Sequence, residues 1–350
     1  MRQGQLFPDG VPNAIAIVLG AGASRGVSYS DRGGIQSPLD SDFFDLLQRL
    51  EPGKQDAKAV QSVIKNVQAL PYECWRSMER AFYTLHLRAY MHAKLEQDED
   101  EASEDADKEV VRDFARCIQA VLRKAHGKQI CDHHRRLWEP LCAADTILSF
   151  NYDLVPERAI RQKAEKQKAA FGPWIYGLVA SGRSDLPPIL KLHGSSNWRL
   201  TASAKPGGSE RIEVATADWA TLDVTPGYQG HIGEGAAFPI FLPFWEKRIE
   251  QGPWLRIWRK AFSRLKQAEA VVVWGYSLPA TDIKAQHVFS LTLGGKALKL
   301  CVVDPSPETR RRWRELLPRA QFFPYESIEH FFRAPPAWWR RREESPIITA

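Results

Sequence analysis

Three polar residues stand where apolar runs stop. Asn151 and Asp153 close the run Asp145-Thr-Ile-Leu-Ser-Phe-Asn-Tyr-Asp153, and His193 closes Pro187-Pro-Ile-Leu-Lys-Leu-His193 just before Gly194. Imidazole takes up a proton near neutral pH, the usual qualification for a general base. Asn and Asp at a strand end are also common turn residues, and a lone histidine serves structure as readily as chemistry. Their occurrence at two such ends is what makes a constellation. A third run, Ile15-Ala-Ile-Val-Leu19, ends in Gly20-Ala21-Gly22-Ala23-Ser24. Glycines there allow positive φ and close approach of a ligand to the backbone. The N–H groups at the mouth of such a turn suit a pyrophosphate. A tight turn that binds nothing has the same spelling.

The elements that position these residues follow from the pattern of runs. Ala270-Val-Val-Val-Trp274 leads into Gly275, Tyr276 and Ser277, with Asp282 placed to cap a helix; Leu298–Val303 ends at Asp304, and Gln321-Phe-Phe-Pro324 is a last edge strand. Strands alternating with helices predict an α/β fold with a parallel, Rossmann-like sheet. The carboxyl ends of such strands line the ligand crevice. A dinucleotide dehydrogenase would reach a second strand ending in an acid about 20 residues after the glycines. Here a helix follows instead, from Pro38 onward, with Asp40 or Ser41 as its cap.

Residues 54–141 predict a large helical insertion within a single domain spanning 1–350. Val60, Val63, Ile64 and Val67 have helical spacing, as do Trp75, Met78, Phe82 and Leu85, and Val110, Phe114, Ile118 and Leu122. The acidic run 96–109 reads as an exposed, partly disordered connection within it. Residues 25–37 read as a mobile loop over the glycine turn. The stretch 199–237 predicts little.

Composition sets outer bounds. The chain has 350 residues, 44% hydrophobic and 26% charged, with no apolar stretch of membrane-spanning length and no signal-peptide core. A cytoplasmic location is the expectation. Five scattered cysteines without a CxxC pair predict reduced thiols and no zinc module. His133 and His134 are adjacent on a helix and point apart, so no metal is expected there. Residues 96–109 hold nine acids and one lysine, a net −8 against the chain's +6, which leaves the rest near +14. Such a remainder suits an anionic ligand, and nucleic acid remains an open alternative. Arg310–Arg314 reads as a helix with its arginines in water, and Trp338–Arg342 as a contact surface for a partner.

In order, GAGAS (20–24), SFNYD (149–153), KLHGS (191–195), VVWGYSLPATD (272–282) and CVVDPS (301–306) resemble the sirtuin-like fold. They are most similar to its divergent bacterial branch of NAD hydrolases in phage defence. The resemblance implies that Gly20, Ala21, Gly22 and Ser24 bind the NAD pyrophosphate. It places Asn151 by the nicotinamide ribose, Asp153 by the carboxamide, and His193 beside Gly194 as the base. It further implies NAD contacts for Gly275 and Ser277, and an adenosine-side position for Asp304. Asp40, beyond a loose echo of a longer family loop at 34–38, is a contact candidate by position alone, or a helix cap. Phe150 stands where the family has glutamine.

What the resemblance implies is an NAD+ glycohydrolase releasing nicotinamide and ADP-ribose, a regulated effector that depletes NAD during abortive infection. An unregulated enzyme of this kind would kill its own cell. A homo-oligomer, or a partner such as an ATPase or nucleic-acid sensor, is therefore the expected control. Two alternatives stand beside it: a sensor that binds NAD or ADP-ribose without turnover, and an NAD-dependent deacylase or ADP-ribosyltransferase.

Overall fold

The computed structural model describes residues 7–8, 10–25, 36–51, 54–95, 101–126, 130–167, 173–178, 185–201, 211–214 and 252–345. Ile15-Ala-Ile-Val-Leu19 has no polar side on either face, so it is stable as a strand only where both faces are covered. It is β1 (Ile15–Leu19), wholly buried at the middle of the sheet. A one-turn helix α1 (Ala21–Arg25) follows at once, and then α2 (Phe43–Gln48). Next come α3 (Lys54–Gln68), α4 (Tyr72–Trp75), α5 (Met78–Leu95), α6 (Glu101–His126) and α7 (Asp132–Trp138). The chain then returns to the sheet with β2 (Thr146–Ser149), crosses α8 (Val155–Gln167) and a 3-10 turn at Pro173–Tyr176, and enters β3 (Ile189–Lys191). A small hairpin, β4 (Trp198–Thr201) with β5 (Arg211–Val214), stands apart from the main sheet. The second half runs α9 (Gly252–Gln267), β6 (Ala270–Trp274), α10 (Ile283–Leu293), β7 (Lys299–Val303), α11 (Pro307–Leu316) and β8 (Gln321–Tyr325). Two short helices close it, α12 (Ile328–Arg333) and α13 (Ala337–Glu344).

The six strands form one parallel sheet in the order β3-β2-β1-β6-β7-β8. This is the doubly wound order of Rossmann-like α/β folds, with its reversal of direction between β1 and β6. Pro324 lacks an N–H, and it sits on the outermost strand, where an unpaired edge tolerates it. A ligand crevice belongs above the carboxyl ends of β1 and β6, which Gly20 and Gly275 directly follow.

A second apolar core lies outside the sheet. Phe43 and Phe44 of α2 pack on Phe114 of α6, at ring separations of 5.7 and 5.9 Å, with Val63, Val67 and Leu85 around them. Tyr152, next to Asn151, packs against this second core and so joins it to the end of β2. Asp40 fastens α5 to the same place: its carbonyl accepts from Met78 N–H at 3.0 Å and its Oδ1 from Glu79 N–H at 2.8 Å. Asp40 therefore caps α5, whereas the N-cap position of α2 belongs to Asp42.

Two further expectations change. Of the acidic run, 96–100 lies outside the described residues, but 101–109 forms the first turns of α6 rather than a connection. Acidic residues at a helix N-terminus are favoured by the macrodipole, so the negative charge there is compatible with helix. Trp338 and Trp339 are buried, and so is Arg342, whose Nη2 lies 2.6 Å from Asp145 Oδ2. Both tryptophans and Arg342 therefore belong to the core, and only Arg340 and Arg341 of that segment are exposed. Arg311, Arg312 and Arg314 of α11 are exposed as expected, whereas Arg310 is half-buried and donates to Asp304 O and Pro305 O, and Trp313 among them is fully buried.

Candidate active site

Gly20 and Gly22 are glycines for a reason of packing. Neither has positive φ; a Cβ on Gly20 would lie 2.4 Å from Gly275 O, and one on Gly22 would lie 2.8 Å from Gly275 Cα. The positive φ expected of this turn occurs across from it, at Gly275 (64°), where a Cβ would meet Ala23 N at 2.2 Å. Two loop backbones are thus pressed together over the β1–β6 boundary. Three of their N–H groups are committed: Gly20 N–H donates to Trp274 O at 3.1 Å, Gly22 N–H to Gly275 O at 3.0 Å, and Ala23 N–H to Gly20 O at 2.9 Å. The turn is a clamp before it is an anion cradle.

A cleft of about 770 Å³ opens above this clamp, within the usual range of about 300–1,000 Å³ for small-molecule sites. It brings together Gly20, Ala21, Gly22, Asn151, Asp153, His193, Gly275, Ser277, Asp304 and Asp40. Two expected contact residues do not line it. Ser24 is fully buried beneath, and Gly194, at φ 95°, turns the chain behind His193. The second core supplies one wall through Phe43, Met78, Glu79, Ile118 and Leu122. Of the loop 25–37, residues 26–35 lie outside the described residues.

Asn151 and Asp153 are knitted into the clamp. Asn151 Nδ2 donates to Gly20 O at 2.8 Å and to Ser24 Oγ at 3.1 Å; Ser24 Oγ donates on to Asp153 Oδ2 at 2.7 Å. Asp153 Oδ1 accepts from Val155 N–H at 3.0 Å at the start of α8. Burial pushes the Asp153 carboxyl up, but His126, Lys191 and these hydrogen bonds outweigh it and hold the group below the usual range. Lys191 also donates to Asp153 O at 2.5 Å and lies 3.3 Å from Glu157 in a fully buried ion pair.

His193 has a partner that its sequence neighbourhood does not reveal. Its Nε2 is 2.9 Å from Asp282 Oδ2, and the same oxygen accepts from Tyr276 OH at 2.7 Å. A carboxylate on Nε2 fixes the proton there and leaves the ring's lone pair on Nδ1. Burial, and then the charge of Asp282, push the Tyr276 phenol well above its ordinary value, so it remains a donor. Asp282 occupies the expected N-cap position of α10, yet its side chain makes no capping bond. Phe150 fills the space between these groups, stacked on Tyr276 at 4.0 Å and edge-on to His193 at 4.9 Å. At the far end of the cleft, Asp304 Oδ1 accepts from Ser306 N–H at 2.9 Å, and burial raises its pKa. Burial likewise raises that of Asp40. Among the described residues no group of three or more metal-ligating side chains is assembled.

No protein-family model and no curated protein sequence matches the chain. Solved structures do. One is a Sir2 complex with a p53 peptide and NAD+, at 12% identity and a TM-score of 0.40, covering 95% of this chain and 93% of that one. Another, from work on sirtuin substrate affinity, has 13% identity and a TM-score of 0.43, covering 96% and 95%. Both are sirtuin structures to which this chain is similar at a remote level. The chemistry of the cleft rests on the residues found in it.

Proposed function

We propose that this chain is a sirtuin-like NAD+ glycohydrolase. The observation that carries the proposal is the buried His193–Asp282–Tyr276 chain, which opens on the same cleft as Asn151 and the Gly20–Gly22 clamp. An oriented imidazole beside a backbone clamp at a sheet switch point suits a dinucleotide with its reactive ribose over His193. Nicotinamide is already cationic in NAD+, so it departs without a proton. The barrier lies in the positive charge developing on the ribose and in placing the nucleophile beneath it. Water attacks C1′ as the bond to the ring nitrogen breaks; the bonding pair returns to the ring and neutral nicotinamide leaves. His193 accepts the proton of the water, and Asp282 stabilises the imidazolium that forms. Asn151 holds the clamp at Gly20, and Asp153 holds Ser24 while facing the carboxamide position.

Nicotinamide release from NAD+, with the products identified, tests this on the wild type against His193→Ala. Loss of release in a folded variant supports the proposal; equal release in both overturns it. Because unregulated turnover would empty the cell of NAD+, the enzyme belongs to a controlled system of anti-phage type. There an oligomer or a second protein, such as an ATPase or nucleic-acid sensor, sets its activity in the cytoplasm. No helix among the described residues is long and apolar enough to cross a membrane.

A second reading is a sensor that binds NAD+ or ADP-ribose without turnover. The observation that favours it is the commitment of Asn151 Nδ2 and of both Asp153 oxygens to the scaffold. Tight ADP-ribose binding with no nicotinamide release under any activating condition would select it.

A further inference from the structure

The cleft is poor in positive charge. Its wall carries Asp40, Glu79, Asp304, Glu326 and Glu329, and among the described lining residues Arg25 alone is a lysine or arginine. With the N–H groups of Gly20, Gly22 and Ala23 already donated within the protein, the turn has few backbone donors to offer a diphosphate, and no full positive charge. We infer that Arg25 takes the diphosphate of the dinucleotide, and that Asp42 is the carboxylate it leaves to do so. The inference rests on the cleft being a dinucleotide site.

Arg25 ends α1 four residues after Ala21, which places it on the same face of that turn. Its Nη1 lies 2.5 Å from Asp42 Oδ2 and donates to Ser37 O at 2.8 Å. Both contacts use one nitrogen of a planar group with five N–H donors, a fork that matches phosphate oxygens. The pair is also partly in water, with side chains 29% and 23% exposed, so it is weakly held. Asp42 is itself fixed, because its Oδ1 accepts from Leu39 N–H at 2.8 Å. Arg25 is thus held at the cleft wall by a modest ion pair that a doubly charged diphosphate outcompetes.

Calorimetric titration with ADP-ribose tests this without requiring turnover. Arg25→Gln should weaken ADP-ribose binding by about tenfold to a hundredfold, the span of a charge-assisted hydrogen bond. Ligand-observed NMR with nicotinamide riboside, which lacks the diphosphate, should show binding unchanged. Asp42→Asn keeps the acceptor for Leu39 but removes the competing charge, and should tighten ADP-ribose binding. Equal ADP-ribose affinity in Arg25→Gln and wild type overturns the inference alone. Equal weakening toward both ligands also overturns it, since Arg25 would then hold only the shape of the cleft. Failure of the folded wild type to bind ADP-ribose overturns the dinucleotide site and this inference with it.

Discussion

His193 and Tyr276 meet on a single carboxylate oxygen, Asp282 Oδ2, at 2.9 and 2.7 Å. The hydroxyl fixes the carboxylate, and the carboxylate fixes the imidazole. Asp282→Asn preserves the shape while allowing an amide N–H to face Nε2, which moves the ring proton to the wrong nitrogen. Nicotinamide release should fall by about 10²–10⁴-fold, as for the loss of an oriented base. ADP-ribose affinity, measured by calorimetry, should stay within about twofold, because Asp282 acts on the base and not on bound diphosphate. A matching loss of affinity would mean that Asp282 serves only the packing.

The Gly20–Gly275 contact makes a second prediction. A methyl group at residue 275 meets Ala23 N at 2.2 Å and sits on a backbone with φ 64°, so both sterics and conformation oppose it. Gly275→Ala should lower unfolding free energy by about 2–4 kcal/mol and abolish ligand binding, measured by urea titration. Alanine at Gly295, where nothing lies within 4 Å, is the control, and its denaturation midpoint should not fall.

Acid sensitivity should trace to a histidine away from the reacting centre. His134 is fully buried, with both ring nitrogens unpartnered, and packs 4.5 Å from Trp274. Burial lowers its pKa from 6.5 to about 3. The unfolded chain therefore binds a proton there below about pH 6.5 while the folded chain does not until about pH 3. Its contribution is complete above the unfolded value and is lost as the pH falls through that window. The loss amounts to about 2 kcal/mol by about pH 5. His134→Leu should flatten the pH dependence of urea stability in this range. An unchanged slope would place the acid sensitivity elsewhere.

Arginines in the C-terminal region should differ sharply in their effect on stability. Arg342 is buried, paired with Asp145 at 2.6 Å and donating to Pro12 O and Pro140 O. Arg342→Ala leaves that carboxylate without its cation and should lower stability by about 3–5 kcal/mol. Arg311 sits on α11 in exposed pairs with Glu308 and Glu315. Arg311→Ala should leave the thermal midpoint where it is.

The sheet was legible in the sequence because β1, β6 and β7 are short, almost wholly apolar runs that only a doubly covered parallel sheet accommodates. The strand-end residues came with it, since topology alone gathers Gly20, Asn151, His193, Gly275 and Asp304 on one rim. What was not legible is how their polar atoms are shared out. Asp282 has the spelling of a helix cap, and only the fold brings it to His193, 89 positions away. Asp40 likewise looks like the cap of α2, but the N–H groups it accepts from are those at the start of α5. Trp338 and Trp339 look like an exposed aromatic patch because a two-turn helix holds too few residues to reveal its buried face. Side-chain hydrogen bonds between distant segments leave no periodic mark.

The clamp between Gly22 and Gly275 joins the first strand of the sheet to the fourth, since Ile15 pairs with Ala270 and Leu19 with Trp274. On the ribosome, β1 emerges with no neighbour on either side. One waits for Thr146 and the other for Ala270. Contacts this far apart in sequence form slowly and late. The cleft accordingly cannot assemble on a nascent chain that ends before residue 275, and a truncated product keeps His193 but lacks Asp282. The order of synthesis thus keeps an incomplete chain from presenting the assembled cleft.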